Sequence, residues 1–377
     1  MQAFREFVLK VHQRCNLACD YCYVYELADQ SWRDRPAAMD RTVWQAAARR
    51  IAAHARAHDL PAVDIVLHGG EPLLAGQSAL VTLITDVRAA VPGARFSTQT
   101  NGALLDAPML AALGAHGVRI GVSLDGPPEH HDRHRRHRDG RGSHLLAARA
   151  LRLLAGHPSY AGILCTIDPA TDPVAVYESL LTYHPPAIDL LLPHANWANP
   201  PGPGYAQWLI AVFDRWYDAP RRETGIRLFE ELISLVLGGP SRSDQVGLSP
   251  VGVAVIESDG TIEQGDSLKS AYPGAAATGL TVFDHDLDAA ARHPGIVARQ
   301  SGRAALAESC LACPVHDICG GGHYAHRWRP GGGFRNPSVY CAQLRRLIDH
   351  IGARVAADLA TRSAGRATAD LAGGVRP

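Results

Sequence analysis

The sequence predicts an α/β fold in which a partial (β/α)6 TIM barrel is followed by a smaller, cysteine-containing region. In the first half of the chain, six short segments rich in β-branched residues alternate with Ala- and Leu-rich segments of helical periodicity. Strands that alternate with helices in this way form right-handed parallel β/α arrays. Six such units are too few for a complete eight-unit barrel, so we expect an open one.

The predicted elements follow one another in a regular order. The six strands are FVLKVH (7–12), VDIVLH (63–68), RFSTQT (95–100), VRIGVSL (118–124), YAGILCTI (160–167) and IDLLLP (188–193). Helices are predicted over 40–58, 77–90, 106–116, 143–155 and 173–183. After a loop rich in proline and glycine (194–204), we expect helices at about 205–218 and 226–237 and a β-hairpin over 253–264 that turns at Asp259-Gly260. A final helix is predicted to end near residue 361.

The composition is that of a globular protein with a sizeable core. The 377 residues are 46% hydrophobic and 20% charged, and the formal net charge is zero, which gives no sign of nucleic-acid binding. No apolar run reaches the length of a membrane span, and we expect no signal peptide because the first residues lack a long apolar core. We therefore expect a cytoplasmic protein, in which clustered cysteines are more often metal ligands or catalysts than disulfides.

Three of the eight cysteines lie within the octapeptide CNLACDYC, at Cys15, Cys19 and Cys22. This octapeptide follows the first predicted strand, and the carboxyl ends of the strands carry the chemistry in parallel β/α folds. A structural zinc site needs four ligands, and the nearest fourth candidate, His12, belongs to the strand. Three thiolates suit a [4Fe–4S] cluster that leaves one iron open to a ligand, and we predict such a cluster here.

A second group of cysteines lies near the end of the chain, at Cys310, Cys313, Cys319 and Cys341. Four thiolates suit either a zinc ion or a fully coordinated [4Fe–4S] cluster. The spacing alone leaves both alternatives open.

The spacing Cys-x3-Cys-x2-Cys resembles the signature of the radical S-adenosylmethionine (SAM) enzymes. The segments HGGEP (68–72), QTNG (99–102) and GVSLDG (121–126) follow the next three predicted strands and resemble the SAM-binding motifs of that family. The resemblance implies that cluster and SAM together generate a 5′-deoxyadenosyl radical. It also implies an arginine near the SAM carboxylate, for which Arg135 is the candidate by position, between Arg133 and Arg136. The residues expected to contact SAM are Tyr21, Gly69, Gly70, Glu71, Asn101, Ser123, Asp125 and Arg135.

The second group of cysteines, with CGGG at 319–322, resembles the SPASM or twitch-like extension that carries auxiliary [4Fe–4S] clusters in many peptide-modifying radical SAM enzymes. The family pattern has further cysteines, for a first auxiliary cluster, at positions that correspond here to His323, to Gly265 and to a place near Ser249. The resemblance therefore implies one auxiliary [4Fe–4S] cluster, coordinated by Cys310, Cys313, Cys319 and Cys341.

The catalytic base is predicted from the same resemblance. In the anaerobic sulfatase-maturating enzymes, an aspartate at the place of Asp266 acts as a base on the substrate, so Asp266 is the base candidate. Glu263 and Glu257, on the predicted hairpin, are weaker rivals.

Longer phrases, such as EQGDSLKSAY and CPVHDICGGGHYAHRW, resemble the FxsB-type peptide maturases. This resemblance implies an oxidoreductase that joins an aromatic ring to the Cβ of a nearby residue in a ribosomally synthesised precursor peptide, which gives a cyclophane. One alternative is oxidation of Ser or Cys to formylglycine. An alternative of another class is a non-catalytic iron–sulfur or zinc carrier or peptide-binding module. The expected partners are the precursor peptide and an electron donor such as flavodoxin or ferredoxin, with no nucleic acid and no membrane.

We predict that the chain is divided into four parts. They are a radical SAM barrel core (1–204), a helical connection (205–247), a SPASM-like region with the auxiliary cluster and the terminal helix (248–361), and a flexible tail (362–377).

Overall fold

Ten strands form one sheet in the computed structural model, which describes residues 2–372. The strands are β1 (Glu6–His12), β2 (Val63–Gly69), β3 (Ala94–Thr100), β4 (Arg119–Ser123), β5 (Tyr160–Thr166), β6 (Ala187–Leu191), β7 (Gly225–Ile226), β8 (Val253–Ile256), β9 (Thr261–Glu263) and β10 (Ala277–Thr281). Their order across the sheet is β10-β9-β8-β1-β2-β3-β4-β5-β6-β7. Strands β1 to β6 are parallel neighbours, so the six predicted strands and their parallel pairing are confirmed.

The long helices agree with the prediction, except at the end of the last one. They are α1 (Arg41–Ala57), α2 (Gln77–Ala90), α3 (Ala107–Ala115), α4 (Pro128–His134), α5 (His144–Leu154), α6 (Pro173–Leu181), α7 (Tyr205–Tyr217), α8 (Arg227–Val236), α9 (Leu287–Ala291), α10 (Pro294–Gln300), α11 (Glu308–Leu311), α12 (His316–Cys319) and α13 (Cys341–Ala372). Helix α4 and the short helices α9 to α12 have no counterpart in the prediction, because so few turns leave no clear apolar period.

Buried side chains between the helices and the sheet fix the strands in place. Phe7 and Leu67 of the sheet and Ile51 of α1 belong to one large core and are almost fully buried. Aspartates begin several of the surrounding helices; the carboxylates of Asp40 and Asp106 accept hydrogen bonds from backbone N–H groups in the first turns of α1 and α3. The core therefore aligns the carboxyl ends of the parallel strands along one rim.

The hairpin of β8 and β9 turns at Asp259-Gly260, as predicted. Gly260 has a φ of +88°, a left-handed conformation that favours glycine, and the Asp259 carboxylate accepts a hydrogen bond from the N–H of Thr261. Strand β8 also pairs in parallel with β1, so the sheet continues from the barrel into the C-terminal region. The expected boundary at 247/248 stays a prediction, but the sheet runs across it.

Helix α13 extends to Ala372, well beyond the predicted end near residue 361. Residues 362–372 of the expected flexible tail continue this helix, where alanine, arginine and leucine favour it, and the flexibility of the tail stays a prediction. Residues 373–377 of that tail lie outside the described residues. Within residues 2–372, no helix combines the length and the apolar character that a membrane crossing requires.

Candidate functional site

A cavity of about 290 Å³ opens at the carboxyl ends of the barrel strands. Its wall combines the loop after β1 with residues at the ends of β2, β3, β4, β5 and β6. We call it the cysteine-loop cavity, because Cys15, Cys19 and Cys22 line it. Parallel β/α folds bind their ligands at this rim.

Six of the eight residues expected to contact SAM line the cysteine-loop cavity. They are Tyr21, Gly69, Gly70, Asn101, Ser123 and Arg135. The structure differs from the expectation at Glu71 and Asp125, which are not among the lining residues and are buried behind them. The fold therefore brings distant motifs to one cavity, and their contact with SAM stays a prediction.

The spacing of the three cysteines of the loop is informative about the group that they hold. Residues 2–372 contain groups of three His, Cys, Asp or Glu side chains whose ligand atoms all lie within 4.8 Å of one another. None of these groups contains a cysteine, so the three sulfur atoms of the loop do not all lie within this distance. Thiolates around a single zinc ion lie only ~3.8 Å apart. Burial raises the pKa of each of the three thiols, so a cationic group is needed to keep them as thiolates. The wider spacing fits a larger group, such as a [4Fe–4S] cluster.

The glycines of HGGEP lie against the backbone of the cysteine loop. A Cβ atom on Gly69 would stand 2.1 Å from the carbonyl oxygen of His12, and one on Gly70 would stand 2.6 Å from that of Arg14. The N–H of Gly70 donates to the His12 carbonyl at 2.9 Å. Both positions thus require glycine because two backbones touch there, in addition to lining the cavity.

Glu71 acts on the cavity through other residues. Its carboxylate accepts hydrogen bonds from the Thr100 hydroxyl at 2.7 Å and from the N–H groups of Asn101 and Leu73 at 2.8 and 3.1 Å. The side-chain amide of Asn101 in turn donates to Asn16 in the cysteine loop at 2.8 Å. Glu71 therefore positions the end of β3, which lines the cavity.

Arg135 is the guanidinium that reaches the cysteine-loop cavity. It donates to the Tyr21 hydroxyl at 2.7 Å, and that hydroxyl donates to the Asp125 carboxylate. Its neighbours Arg133 and Arg136 are exposed; Arg133 pairs with Asp168. Asp125 thus fixes the Tyr21 hydroxyl, and this hydroxyl fixes the Arg135 guanidinium. Asp125 is therefore a positioning residue for Arg135.

Four polar residues of the wall were missed by the sequence analysis. Gln99, Thr166, His68 and His194 all line the cysteine-loop cavity. Each stands at or just beyond the carboxyl end of a barrel strand. That position is the signal by which they could have been found.

A second cavity, of about 360 Å³, adjoins the first. We call it the histidine cavity, because His68, His194, His323 and His326 line it. Tyr23, His68 and His194 border both cavities. The two cavities therefore share a wall.

Asp266 lies on the wall of the histidine cavity, at the start of the 3-10 helix Asp266–Ser270. The Lys10 ammonium contacts its carboxylate at 2.7 Å, Lys269 lies 3.3 Å away and the His68 ring nitrogen 3.5 Å away. Burial alone raises the pKa of Asp266, but the two ammonium groups outweigh burial and hold the pKa well below its usual value. Burial and Lys10 lower the pKa of His68 to about 4. The site thus pairs an ionised carboxylate with a neutral imidazole.

The rival bases Glu257 and Glu263 lie elsewhere in the same charge network. Both are buried and absent from the walls of the two cavities. Arg35 pairs with Glu257 at 2.7 Å and with Glu263 at 2.6 Å, and Lys269 contacts both. Their charges therefore compensate buried cations, and Asp266 is the carboxylate of the three that faces a cavity.

The second group of cysteines comes from four neighbouring segments. Cys310 and Cys319 belong to α11 and α12, Cys313 lies between these helices, and Cys341 begins α13. Burial raises the pKa of Cys310, Cys319 and Cys341, and each of these thiols has other cysteines of the group among the charges that shift it. The four thiols thus lie close to one another. Again, no three of their sulfur atoms all lie within 4.8 Å of one another in the described part of the chain. This arrangement fits a [4Fe–4S] cluster better than a zinc ion.

Comparison with known proteins finds similarity over the barrel and beyond it. Residues 9–164 match the model of the radical SAM superfamily. A cysteine-type anaerobic sulfatase-maturating enzyme from Clostridium perfringens (strain 13 / Type A) is 26% identical over 265 residues, which cover 66% of this chain and 70% of the relative. A serine-type enzyme from Klebsiella aerogenes is 33% identical over 173 residues, 45% of this chain and 41% of the relative.

A solved structure has the same fold. The structure of native anSMEcpe with bound AdoMet and Kp18Cys peptide superposes with a TM-score of 0.83 over 95% of this chain and 99% of that chain, at 21% identity. Residues 9–164 are thus similar to the radical SAM superfamily, and the chain is similar in sequence to the anaerobic sulfatase-maturating enzymes.

Proposed function

We propose that the protein oxidises a side chain of a peptide substrate by removing a hydrogen atom from Cβ and then a proton and an electron. The position of Asp266 carries this proposal, because its carboxylate lines a cavity that shares a wall with the cysteine-loop cavity. A side chain of the substrate that binds near Tyr23 and His68 would contact both cavities. When bound, the [4Fe–4S] cluster and SAM supply the 5′-deoxyadenosyl radical that abstracts the hydrogen atom.

Asp266 takes the proton in this scheme. Its low pKa makes it a weak base, but the group that loses the proton becomes a strong acid once the substrate radical has formed and been oxidised. His68, neutral and 3.5 Å from the carboxylate, is placed to accept the proton next. The electron leaves to a one-electron acceptor, for which the site of the four C-terminal cysteines is the expected place.

The relatives favour formylglycine formation as the outcome. Both curated relatives described above are sulfatase-maturating enzymes. In that reaction a Cys or Ser side chain loses one hydrogen from Cβ and one from its sulfur or oxygen atom. The thioaldehyde that forms from Cys is then hydrolysed to the aldehyde. A carboxylate near the heteroatom is the base that this step requires.

A cyclophane is the second candidate, and the histidine cavity favours it. Gly265 and His323, where the family pattern has cysteines, line this cavity beside Asp266. Its volume of about 360 Å³ leaves room for an aromatic ring next to the attacked Cβ. Here the substrate again loses one hydrogen atom, one proton and one electron, and a bond forms between Cβ and the ring.

The test is turnover of anaerobically reconstituted enzyme with SAM, a reductant and two peptides. One peptide carries a Cys or Ser in a sulfatase-type sequence; the other carries an aromatic residue close to a Ser, Asp, Asn, Lys or Arg. Deuterium at the attacked Cβ should appear in 5′-deoxyadenosine. An aldehyde that reacts with hydroxylamine identifies formylglycine, whereas a two-hydrogen loss without that reactivity, in residues that no longer fragment apart, identifies the cyclophane.

Asp266→Asn separates radical formation from oxidation. The variant should still cleave SAM but give little or no oxidised peptide, because the proton acceptor is missing. Full product formation by this variant would remove Asp266 from the mechanism.

A further inference from the structure

Three histidines from distant parts of the chain meet on one side of the histidine cavity. His194 follows β6, whereas His323 and His326 follow the CGGG turn after α12. Their ring centroids lie 4.9 to 5.7 Å apart, and one nitrogen of each ring lies within 4.8 Å of the other two. Three imidazoles grouped in this way can coordinate a transition-metal ion.

Four of the six ring nitrogens of this group are buried and lack partners. Nδ1 of each ring and Nε2 of His326 accept or donate no hydrogen bond. His323 and His326 are only 9% and 3% exposed. Buried polar atoms without partners are destabilising, so a group of four demands an explanation.

An acidic side chain beside the group suits a cation. Asp244 has a carboxylate oxygen 3.5 Å from Nε2 of His323, on the ring side opposite its unpartnered nitrogen. Carboxylates in this position orient metal-binding histidines.

A second histidine group in the chain shows the contrast. His54 and His58 lie beside Asp288, and each directs a ring nitrogen to its carboxylate at 2.7 and 2.8 Å. That carboxylate pairs with one nitrogen of each ring and leaves a single buried nitrogen, Nε2 of His54, without a partner. The group at the histidine cavity has no comparable partner for its unpaired nitrogens in the described part of the chain.

We infer that His194, His323 and His326 bind one divalent transition-metal ion, of the Zn²⁺ or Fe²⁺ class, with an open coordination position toward the histidine cavity. Metal–nitrogen distances of about 2.0–2.1 Å place tetrahedral ligand nitrogens ~3.3 Å apart, so small side-chain movements from the present spacing close the site. This site is separate from the two cysteine groups and stands whatever peptide product is formed.

The test uses the full-length protein with its iron–sulfur sites reconstituted, treated with a chelator and then titrated with Zn²⁺ alone. We expect one zinc ion per chain with the iron content unchanged, and a zinc X-ray absorption spectrum with nitrogen and oxygen neighbours. A protein that keeps its iron and takes up no zinc, or that binds zinc through sulfur alone, overturns the inference.

Single variants locate the site. His194→Ala and His326→Ala should each weaken zinc binding ~10-fold or more. His58→Ala, which alters the histidine group paired with Asp288, should leave the affinity unchanged. Wild-type affinity in His194→Ala also overturns the inference, and if either variant does not fold, the spectrum of the wild-type protein still decides.

Discussion

At the scale of single residues, the site depends on a lysine that lies inside the sheet. Lys10 is fully buried in β1, and its ammonium meets the Asp266 carboxylate from a segment far along the chain. Breaking such a buried pair leaves an uncompensated charge. Lys10 therefore sets both the stability of this region and the protonation of Asp266.

Lys10→Met should lower the free energy of unfolding by about 3–5 kcal/mol and change the pH dependence of oxidation. In the wild type the depressed pKa keeps Asp266 ionised, and the stability that this carboxylate contributes is lost only as pH falls through its low folded-state pKa. In the variant that pKa rises, so the acid side of the pH profile of peptide oxidation should move to higher pH. Denaturant titration and single-turnover pH profiles measure the two effects, and Lys10→Arg, which keeps a charge, should restore part of both.

Arg135→Gln should weaken SAM binding ~10- to 100-fold, because a charge-assisted hydrogen bond inside the cavity is lost. The matched control is Arg133→Gln, two residues away, since Arg133 is exposed and pairs with Asp168. Equilibrium binding of SAM to both reconstituted variants is the measurement. Equal affinities would show that Arg135 does not contact SAM.

At the scale of elements, the end of β2 packs so closely against the cysteine loop that there is no room for a side chain at Gly69 or Gly70. We call this contact the joint. Gly70→Ala would drive a Cβ atom into the Arg14 carbonyl and the Tyr25 hydroxyl. The loop must then shift, so we expect loss of iron from the first cluster and of SAM cleavage, with iron at the four C-terminal cysteines retained. Iron content and electron paramagnetic resonance spectra distinguish the cluster predicted at Cys15, Cys19 and Cys22 from the one predicted at the four C-terminal cysteines.

The control for this joint is Gly202→Ala, because a Cβ atom at Gly202 meets nothing within 4 Å. It should keep the iron and the activity of the wild type. If Gly70→Ala behaves like this control, the close packing of the joint is not what holds the first cluster.

Elements with a clear period were predictable, and contacts across the chain were not. The strand FVLKVH was read correctly, but nothing in its sequence tells that Lys10 is buried or that Asp266 is its partner. The motif glycines Gly69 and Gly70 were assigned to ligand approach, whereas the fold adds a backbone contact with the loop. The histidine group was invisible for the same reason, since His194 and His326 are brought together only by the tertiary structure.

At the scale of the whole molecule, the barrel and the C-terminal region share one sheet. Strand β1 lies between β2 and β8, and the Lys10–Asp266 pair crosses the same boundary. A fragment of residues 1–204 would expose β1 as an edge strand and leave Lys10 buried without its carboxylate. We expect this fragment to aggregate or to lose protection of β1 against hydrogen exchange, compared with the full chain. A soluble fragment with full protection of β1 would show that the barrel folds alone.

The central place of β1 also has a consequence during synthesis. Strand β1 leaves the ribosome before its neighbour β8, which emerges only after β2 to β7 have been made. Until then an apolar strand, with Phe7 and Leu9 among its buried residues, has one unpaired side. Because pairing between such distant segments is slow to form, we expect the nascent chain to associate with other chains more readily before β8 has emerged than after it.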